Sequence, residues 1–312
     1  GLGDERADVA RRVLGDDDAH PDVAPRARVG VAASRDSVWV VGRYRKLSRV
    51  MPQTPWRVEG RRKGRSSVEE VLAEAARASF GSVAAVRFLA SGREDCDVRM
   101  LGRGRPFALE IVDPKGANGG PSSNSFVADF AARVARVSRA PAVAAPVEVC
   151  DVRLADAATA RRVDATADSK RKSYVCVVWC EAPVFQKMYG GVTSSSSSSE
   201  SKGGDAASSS GSRSSVSRRT WGPIVIHQKT PVRVMHSRSL ATRTRTVHSM
   251  HLTPLNAHFA TLRLTTAAGT YIKEFVHGDF GRTHPSLGTL LGARCDILQL
   301  DVDEVVDDLD GA

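Results

Sequence analysis

Six consecutive serines (Ser194–Ser199) sit inside a Gly- and Ser-rich stretch from Gly190 to Ser217, and the chain carries strand-like patterns on both sides of it. The stretch has too little apolar surface to offset the entropy of ordering it, which predicts a disordered insert. Ahead of it, Ser173–Cys180 is β-branched and aromatic, as a central strand requires. Beyond it, alternating segments recur at Thr242–Leu252 and His258–Thr266, with a last strand near Cys295–Val302. Strands on both flanks of such an insert imply one sheet interrupted by a surface loop. The expectation is an α+β fold rather than two independent domains. Residues 1–36 form an N-terminal flanking segment, 37–310 the folded domain, and 190–217 its insert.

Ser37–Tyr44, Val83–Ala90, Phe107–Val112 and Pro146–Leu154 also read as strands. Ser66 and Glu69 have the spacing of a capping box at the start of an apolar-periodic run, and two further helices are expected over Ser125–Ser138 and Asp156–Asp168. The strand ending at Ala90 delivers the run Ser91-Gly-Arg-Glu-Asp-Cys-Asp-Val-Arg-Met100, followed by a Gly-Arg-Gly-Arg turn. Asp95 therefore falls on a loop between strands, where scaffolds carry chemical groups. Arg93 and Arg99 flank it. A carboxylate among guanidiniums stays ionised, which suits a nucleophile and does not suit a general acid. An acidic loop neutralised by its own arginines is the competing reading of this run.

The net charge of +10 is unevenly spread. Nine Lys or Arg against one acid lie between Arg43 and Arg65, and five Lys or Arg with four His and no acid between His227 and His251. After Arg294 the balance reverses, with seven acids and no base. Basic stripes set apart from an acidic tail suggest a polyanion footprint, against the alternative of a merely solvated face. Charged residues at 26% and hydrophobic residues at 41% fit a globular chain, and no apolar run is long enough to cross a bilayer, so no membrane partner is expected. Five cysteines without a Cys-x-x-Cys pair indicate neither a disulfide framework nor a zinc site. A reducing compartment, nucleus or cytoplasm, is the corresponding expectation. No Rossmann fingerprint, P-loop or His-Glu-x-x-His is present, so no metal and no small-molecule cofactor are expected. The first residues lack both a signal peptide and an initiator Met, as in a fragment or a processed form.

Four ordered segments can be read together: Arg43-Tyr-Arg-Lys-Leu-Ser-Arg49 with Pro52-Gln-Thr-Pro-Trp56, Gly92-Arg-Glu-Asp-Cys-Asp-Val-Arg-Met-Leu-Gly102, Gln228-Lys-Thr-Pro-Val-Arg-Val-Met-His236, and Gly269-Thr-Tyr-Ile-Lys-Glu-Phe-Val-His-Gly-Asp-Phe-Gly-Arg282. From about Val38 to Val305, the insert excepted, the chain resembles the catalytic domain of the archaeal and eukaryotic T-loop tRNA pseudouridine synthases, the family numbered ten in eukaryotic naming. The resemblance implies a mixed, largely antiparallel sheet with flanking helices and a central active-site cleft. It implies tRNA, through its T-arm, as partner, and conversion of uridine to pseudouridine at one or both adjacent T-loop uridines (tRNA positions 54 and 55). Asp95 matches the family's catalytic aspartate, acting on the nucleoside directly or by a glycal route. Tyr174 matches a second tyrosine near the substrate, and the Gln228 segment a mobile loop that grips RNA. Family members also carry an N-terminal RNA-binding domain with paired Cys-x-x-Cys motifs, which this sequence does not contain.

Alternation through Leu262 and Leu264 predicts a strand ending near Thr270–Lys273, which would put Tyr271 and Lys273 on one face. Lys273 would then stand near Asp95, with Tyr271 against the target base. Lys46, Arg49, Arg233 and Arg238 are the expected phosphate contacts. Trp56 and Phe280 are candidate stacking aromatics whose commoner fate is the core. His248 and His251, three apart on a strand, are expected to face opposite sides. The rival function is a non-catalytic scaffold for structured RNA such as microRNA precursors.

Overall fold

The structure, a computed structural model, describes residues 34–115, 123–165, 171–189 and 219–305. The Ser-rich insert and nearly all of the N-terminal flanking segment lie outside these residues. The described elements begin with β1 (Val38–Lys46), β2 (Trp56–Val58), β3 (Arg61–Lys63), α1 (Val68–Phe80), β4 (Ala85–Ala90) and β5 (Arg99–Val112). They continue with α2 (Ser123–Arg139), β6 (Val147–Ala155), α3 (Ala157–Ala165), β7 (Lys172–Cys180), α4 (Val184–Tyr189), β8 (Arg219–Trp221) and β9 (Ile224–Lys229). Last come β10 (Thr242–Pro254), β11 (Phe259–Thr266), α5 (Ile272–His277), β12 (Thr283–His284), α6 (Leu287–Leu291) and β13 (Cys295–Val305).

One sheet runs in the order β12-β9-β10-β11-β7-β13-β5-β1-β6, with β4 paired to β5 and β8 to β10. The fold is α+β, as expected, and strands from before and after the insert lie side by side in one sheet. Every pairing in it is antiparallel except the short parallel seam of β13 with β5, where Asp301 faces Arg99 and Val302 faces Met100. That seam joins the two halves of the sheet. The central strand β7 buries alternate residues, Lys172, Tyr174, Cys176, Val178 and Cys180. A near-continuous core including Tyr44, Leu72, Phe107, Phe130 and Leu262 packs against the sheet. Helices α1 and α2 pack on each other, and α2 on β6.

Two local expectations shift. The cap of α1 is Ser67 rather than Ser66: its Oγ accepts the Glu70 N–H at 3.3 Å and donates to the Glu70 carboxylate at 2.8 Å. Paired Ser-Ser and Glu-Glu allow both registers, and the fold takes the one that buries Ser67 completely. The Gly-Arg-Gly-Arg stretch is also no turn but part of the long strand β5. Gly102 (φ 54°) and Gly104 (φ 82°) take positive-φ backbone within it. A Cβ on Gly104 would lie 2.7 Å from the Tyr44 carbonyl, and one on Gly102 would run into the Asp303 carbonyl. Glycine is required at both by sterics as well as by φ.

Candidate active site

The loop between β4 and β5 carries Asp95, and buried side chains grip its backbone from beneath. Lys46, fully buried at the end of β1, donates to the carbonyls of Met51 (2.7 Å), Asp95 (2.9 Å) and Cys96 (3.1 Å). Burial pulls its ammonium below the ordinary lysine range, against the opposing charges of Glu94, Cys96 and Asp97. Arg105, 1% exposed, pairs with Glu94 at 2.7 Å and donates to the Ser91 carbonyl at 2.7 Å. Burial disfavours the Arg105 charge, and the Glu94 carboxylate more than offsets it, so the guanidinium ends above its ordinary value. The Tyr44 hydroxyl donates to Glu94 at 3.0 Å and is pushed well up by burial. Gln53 closes the network, donating to the Tyr44 hydroxyl at 2.8 Å and to the Gly92 carbonyl at 2.9 Å. A fully connected buried network of this kind holds one loop conformation.

Above this floor the Asp95 carboxylate is 42% exposed and meets two cations, Arg233 at 3.0 Å and Lys273 at 3.3 Å. Lys273 also bridges to Asp97, at 2.7 and 2.8 Å. Arg233 stands on a 3-10 turn (Val232–Val234), and its Nε donates to Glu274 at 2.7 Å. The Glu274 side chain is 1% exposed, and its Oε2 has no hydrogen-bond partner. Burial works against the Arg233 charge, but Glu274 and Asp95 together raise its pKa. The arrangement exposes one carboxylate beside two cationic side chains, a geometry suited to a nucleophile or a base.

Tyr271 and Lys273 reach this place by a route other than the expected one. The strand β11 ends at Thr266, and Tyr271 is the N-terminal cap of α5, with Lys273 in its first turn. Ile272 does turn into the core, at 4% exposure. Tyr271 is fixed by Gln228, which is buried: its amide donates to the Tyr271 carbonyl at 2.9 Å and accepts the Tyr271 N–H at 3.0 Å. Gln228 and Glu274 were not singled out from the sequence, although both lie within the quoted motifs. What each does is settled by a partner distant in the chain.

Several expected site residues serve other partners. Arg99 binds Asp301 (3.0 and 2.6 Å) and Arg93 is exposed, so the cations beside Asp95 are Arg233 and Lys273 instead. Arg49 joins the same Asp301 at 2.6 Å and donates to the Leu300 carbonyl. Lys46 is buried against carbonyls, so it cannot meet a phosphate. Tyr174 is buried in β7, in the field of Arg105, and burial pushes its hydroxyl up to about 12. Arg238 is exposed, while Arg233 points at Asp95 and Glu274. Trp56 and Phe280 are at the surface, at 45% and 95%, and not in the core. A bulge at His248 shifts the alternation of β10, so that spacing no longer sends His248 and His251 to opposite faces. Among the described residues no group of three or more His, Cys, Asp or Glu is placed to hold a metal ion.

A family profile described as "Pus10, C-terminal" matches residues 39–200 and 212–307. The chain is 37% identical over 275 residues to the mouse protein named tRNA pseudouridine synthase Pus10, covering 88% of this chain and 45% of that protein. It is 32% identical over 266 residues to the protein of that name from Thermofilum pendens, covering 85% of this chain and 52% of the relative. The chain thus spans about half the length of the curated relatives it matches. Among solved structures it is similar to a chain in a Cbf5-Nop10-Gar1 complex, at 15% identity and a TM-score of 0.40, covering 85% of this chain and 48% of that one. The motifs that frame Asp95 all fall within the matched residues, and the chain belongs to the Pus10 family.

Proposed function

We propose that this chain isomerises uridine to pseudouridine in the T-loop of tRNA, at position 54, 55 or both, with Asp95 as the catalytic residue. The observation that carries the reading is an exposed Asp95 carboxylate whose backbone is fixed from below by Lys46 and whose charge is matched from above by Arg233 and Lys273. The names of the relatives supply the reaction class.

The reaction breaks the C1′–N1 bond and forms C1′–C5. N1 gains a proton and C5 loses one, so atoms balance with no outside donor. The Asp95 carboxylate acts on the sugar when N1 departs, either by bonding to C1′ or by taking the 2′-proton on the glycal route. Lys273 and Arg233 hold that carboxylate in place until the substrate arrives. Tyr271, beside them at the start of α5, is the group to pack on the detached base. The uridine must leave its stack to reach Asp95, at a cost of a few kcal/mol. Exposed cations on the 229–238 segment, Lys229 and Arg238, are suited to offset that cost through phosphate contacts.

The test is tritium release from C5-labelled uridine in a T-arm transcript, with wild type beside Asp95→Asn at matched RNA occupancy. Release by wild type alone is expected. Equal release from both proteins would remove Asp95 from the mechanism, and none from either despite tight binding would leave an RNA-binding scaffold.

A further inference from the structure

Phe280 is 95% exposed, the most exposed of the large hydrophobic side chains among the described residues. Its backbone lies in the left-handed region, φ 56° and ψ 37°, where a bulky residue is a steric outlier. The turn that carries it is not loose. Asp279, 5% exposed, accepts the Val232 N–H at 3.2 Å and pairs with Arg282 at 3.5 Å. Arg282 donates to the Thr230 carbonyl at 2.7 Å, and the Gly281 N–H to the Gly278 carbonyl at 2.9 Å. A strained, firmly tied turn therefore holds a phenyl ring out in water. Neither the strain nor the exposure serves the packing of this chain.

The surroundings indicate what covers the ring. The turn is bonded to the loop that bears Arg233, and Arg233 reaches Asp95 at 3.0 Å. Val232 and Met235 on that loop are exposed at 49% and 40%. On the same segment Lys229, whose N–H bonds the Arg282 carbonyl at 3.0 Å, and Arg238 are exposed. Of the acids paired with this loop and turn, Asp279 and Glu274 are buried against arginines, and Asp95 is the carboxylate of the site itself. A rigid aromatic face within a cationic field fits a ligand that is anionic along its backbone and carries flat apolar faces. Single-stranded or unstacked RNA has both properties.

We propose that Phe280 is a stacking platform for an RNA base next to the nucleotide presented to Asp95. The proposal rests on the functional reading above in taking RNA as the ligand. Because the turn is already rigid, the ring needs no ordering when RNA arrives, so the stack adds directly to affinity.

The test uses the full chain and a T-arm hairpin with 2-aminopurine placed in turn at each position flanking the target uridine. Phe280→Ala is expected to weaken binding about tenfold, the size of one lost base stack, with an unchanged salt slope because no phosphate contact is lost. Phe280→Trp should retain affinity, and Phe280→Leu should fall between. At one flanking position the 2-aminopurine signal should be quenched by wild type and by the Trp variant only. Phe280→Gly should raise the thermal midpoint while weakening RNA binding, opposite signs that no packing role produces. Unchanged affinity in the Ala variant, or full rescue by Leu, would overturn the platform. Tritium release measured in the same samples separates the two readings. Release with unaltered affinity in the variants sinks the platform alone. The graded affinity pattern without release sinks the catalytic reading and leaves the platform standing. Failure of wild type to bind the hairpin overturns both.

Discussion

Lys46 and Arg233 both come from cation-rich runs of the chain, and both end at Asp95, one beneath its backbone and the other against its carboxylate. Their surroundings differ completely. Lys46 is fully buried among carbonyls, whereas the Arg233 side chain is 39% exposed. Strand order explains this. β1 lies between β5 and β6, so Arg43, Tyr44 and Lys46 enter the interior and are bonded there, whereas the Gln228 segment leaves the sheet after β9, near its β12 edge. A surplus of charge in a sequence does not locate an RNA footprint. Position in the sheet decides which cations hold the scaffold and which remain to meet a ligand.

If that contrast is right, the floor of the site bears stability and the rim bears function. The largest effect is expected at Arg105→Met, which leaves the buried Glu94 without its guanidinium partner. Urea unfolding should show a loss of about 3–5 kcal/mol. Lys46→Met should cost about 2–3 kcal/mol by leaving buried carbonyls without a donor. In protein that remains folded, it should also lower kcat for pseudouridine formation with little change in KM, because it loosens the backbone of Asp95. A loss below about 1 kcal/mol at both positions would mean that the floor is not what fixes the loop.

At the rim, Arg233→Ala removes the hydrogen-bond partner of the buried Glu274 side chain and should cost roughly 2 kcal/mol. Adding Glu274→Gln should recover most of it, since the orphaned charge is then gone. Tritium release should stay low in the double variant, because Asp95 still lacks its guanidinium. Recovery of activity together with stability would assign Arg233 to the scaffold and blur the distinction between rim and floor.

The strands were legible because period-two alternation is a local signal. Lys172–Cys180 alternates buried and half-buried residues along its length and was read within one residue of its bounds. Asp95 and Lys273 could be named together because their motifs are distinctive. Their route into contact could not be read. Helix α5 is only six residues long, and its cap Tyr271 and first residue Ile272 are types that favour strands, so the sequence reads as a continuation of the preceding alternation. Arg99 looked like a partner for Asp95, four residues away. Its true partner is Asp301, 202 positions on, brought close by the parallel seam of β13 with β5. The fully buried Lys46 left no local mark either, because its three acceptors are backbone carbonyls that any sequence would offer.

The finest division lies within the rim, where Lys273 serves two carboxylates and sits closer to Asp97 (2.7 Å) than to Asp95 (3.3 Å). Burial pushes the Asp97 carboxyl up, but the hydrogen bond and charge of Lys273 outweigh it and hold the group below the usual carboxylate range. A depressed folded-state pKa contributes stability that is present above the unfolded value, near 4, and is lost as pH falls through the folded one. The Asp97 side chain is 63% exposed, so solvent screening keeps the contribution under about 1 kcal/mol. Asp97→Asn should therefore lower stability above about pH 4 by less than about 1 kcal/mol and leave it unchanged at lower pH, where the carboxyl is protonated, so that the acid limb is flatter. Lys273→Met should flatten the same limb, and combining the two should add nothing further. If their effects add instead, the two groups are uncoupled, and the charge of Lys273 belongs to Asp95 alone.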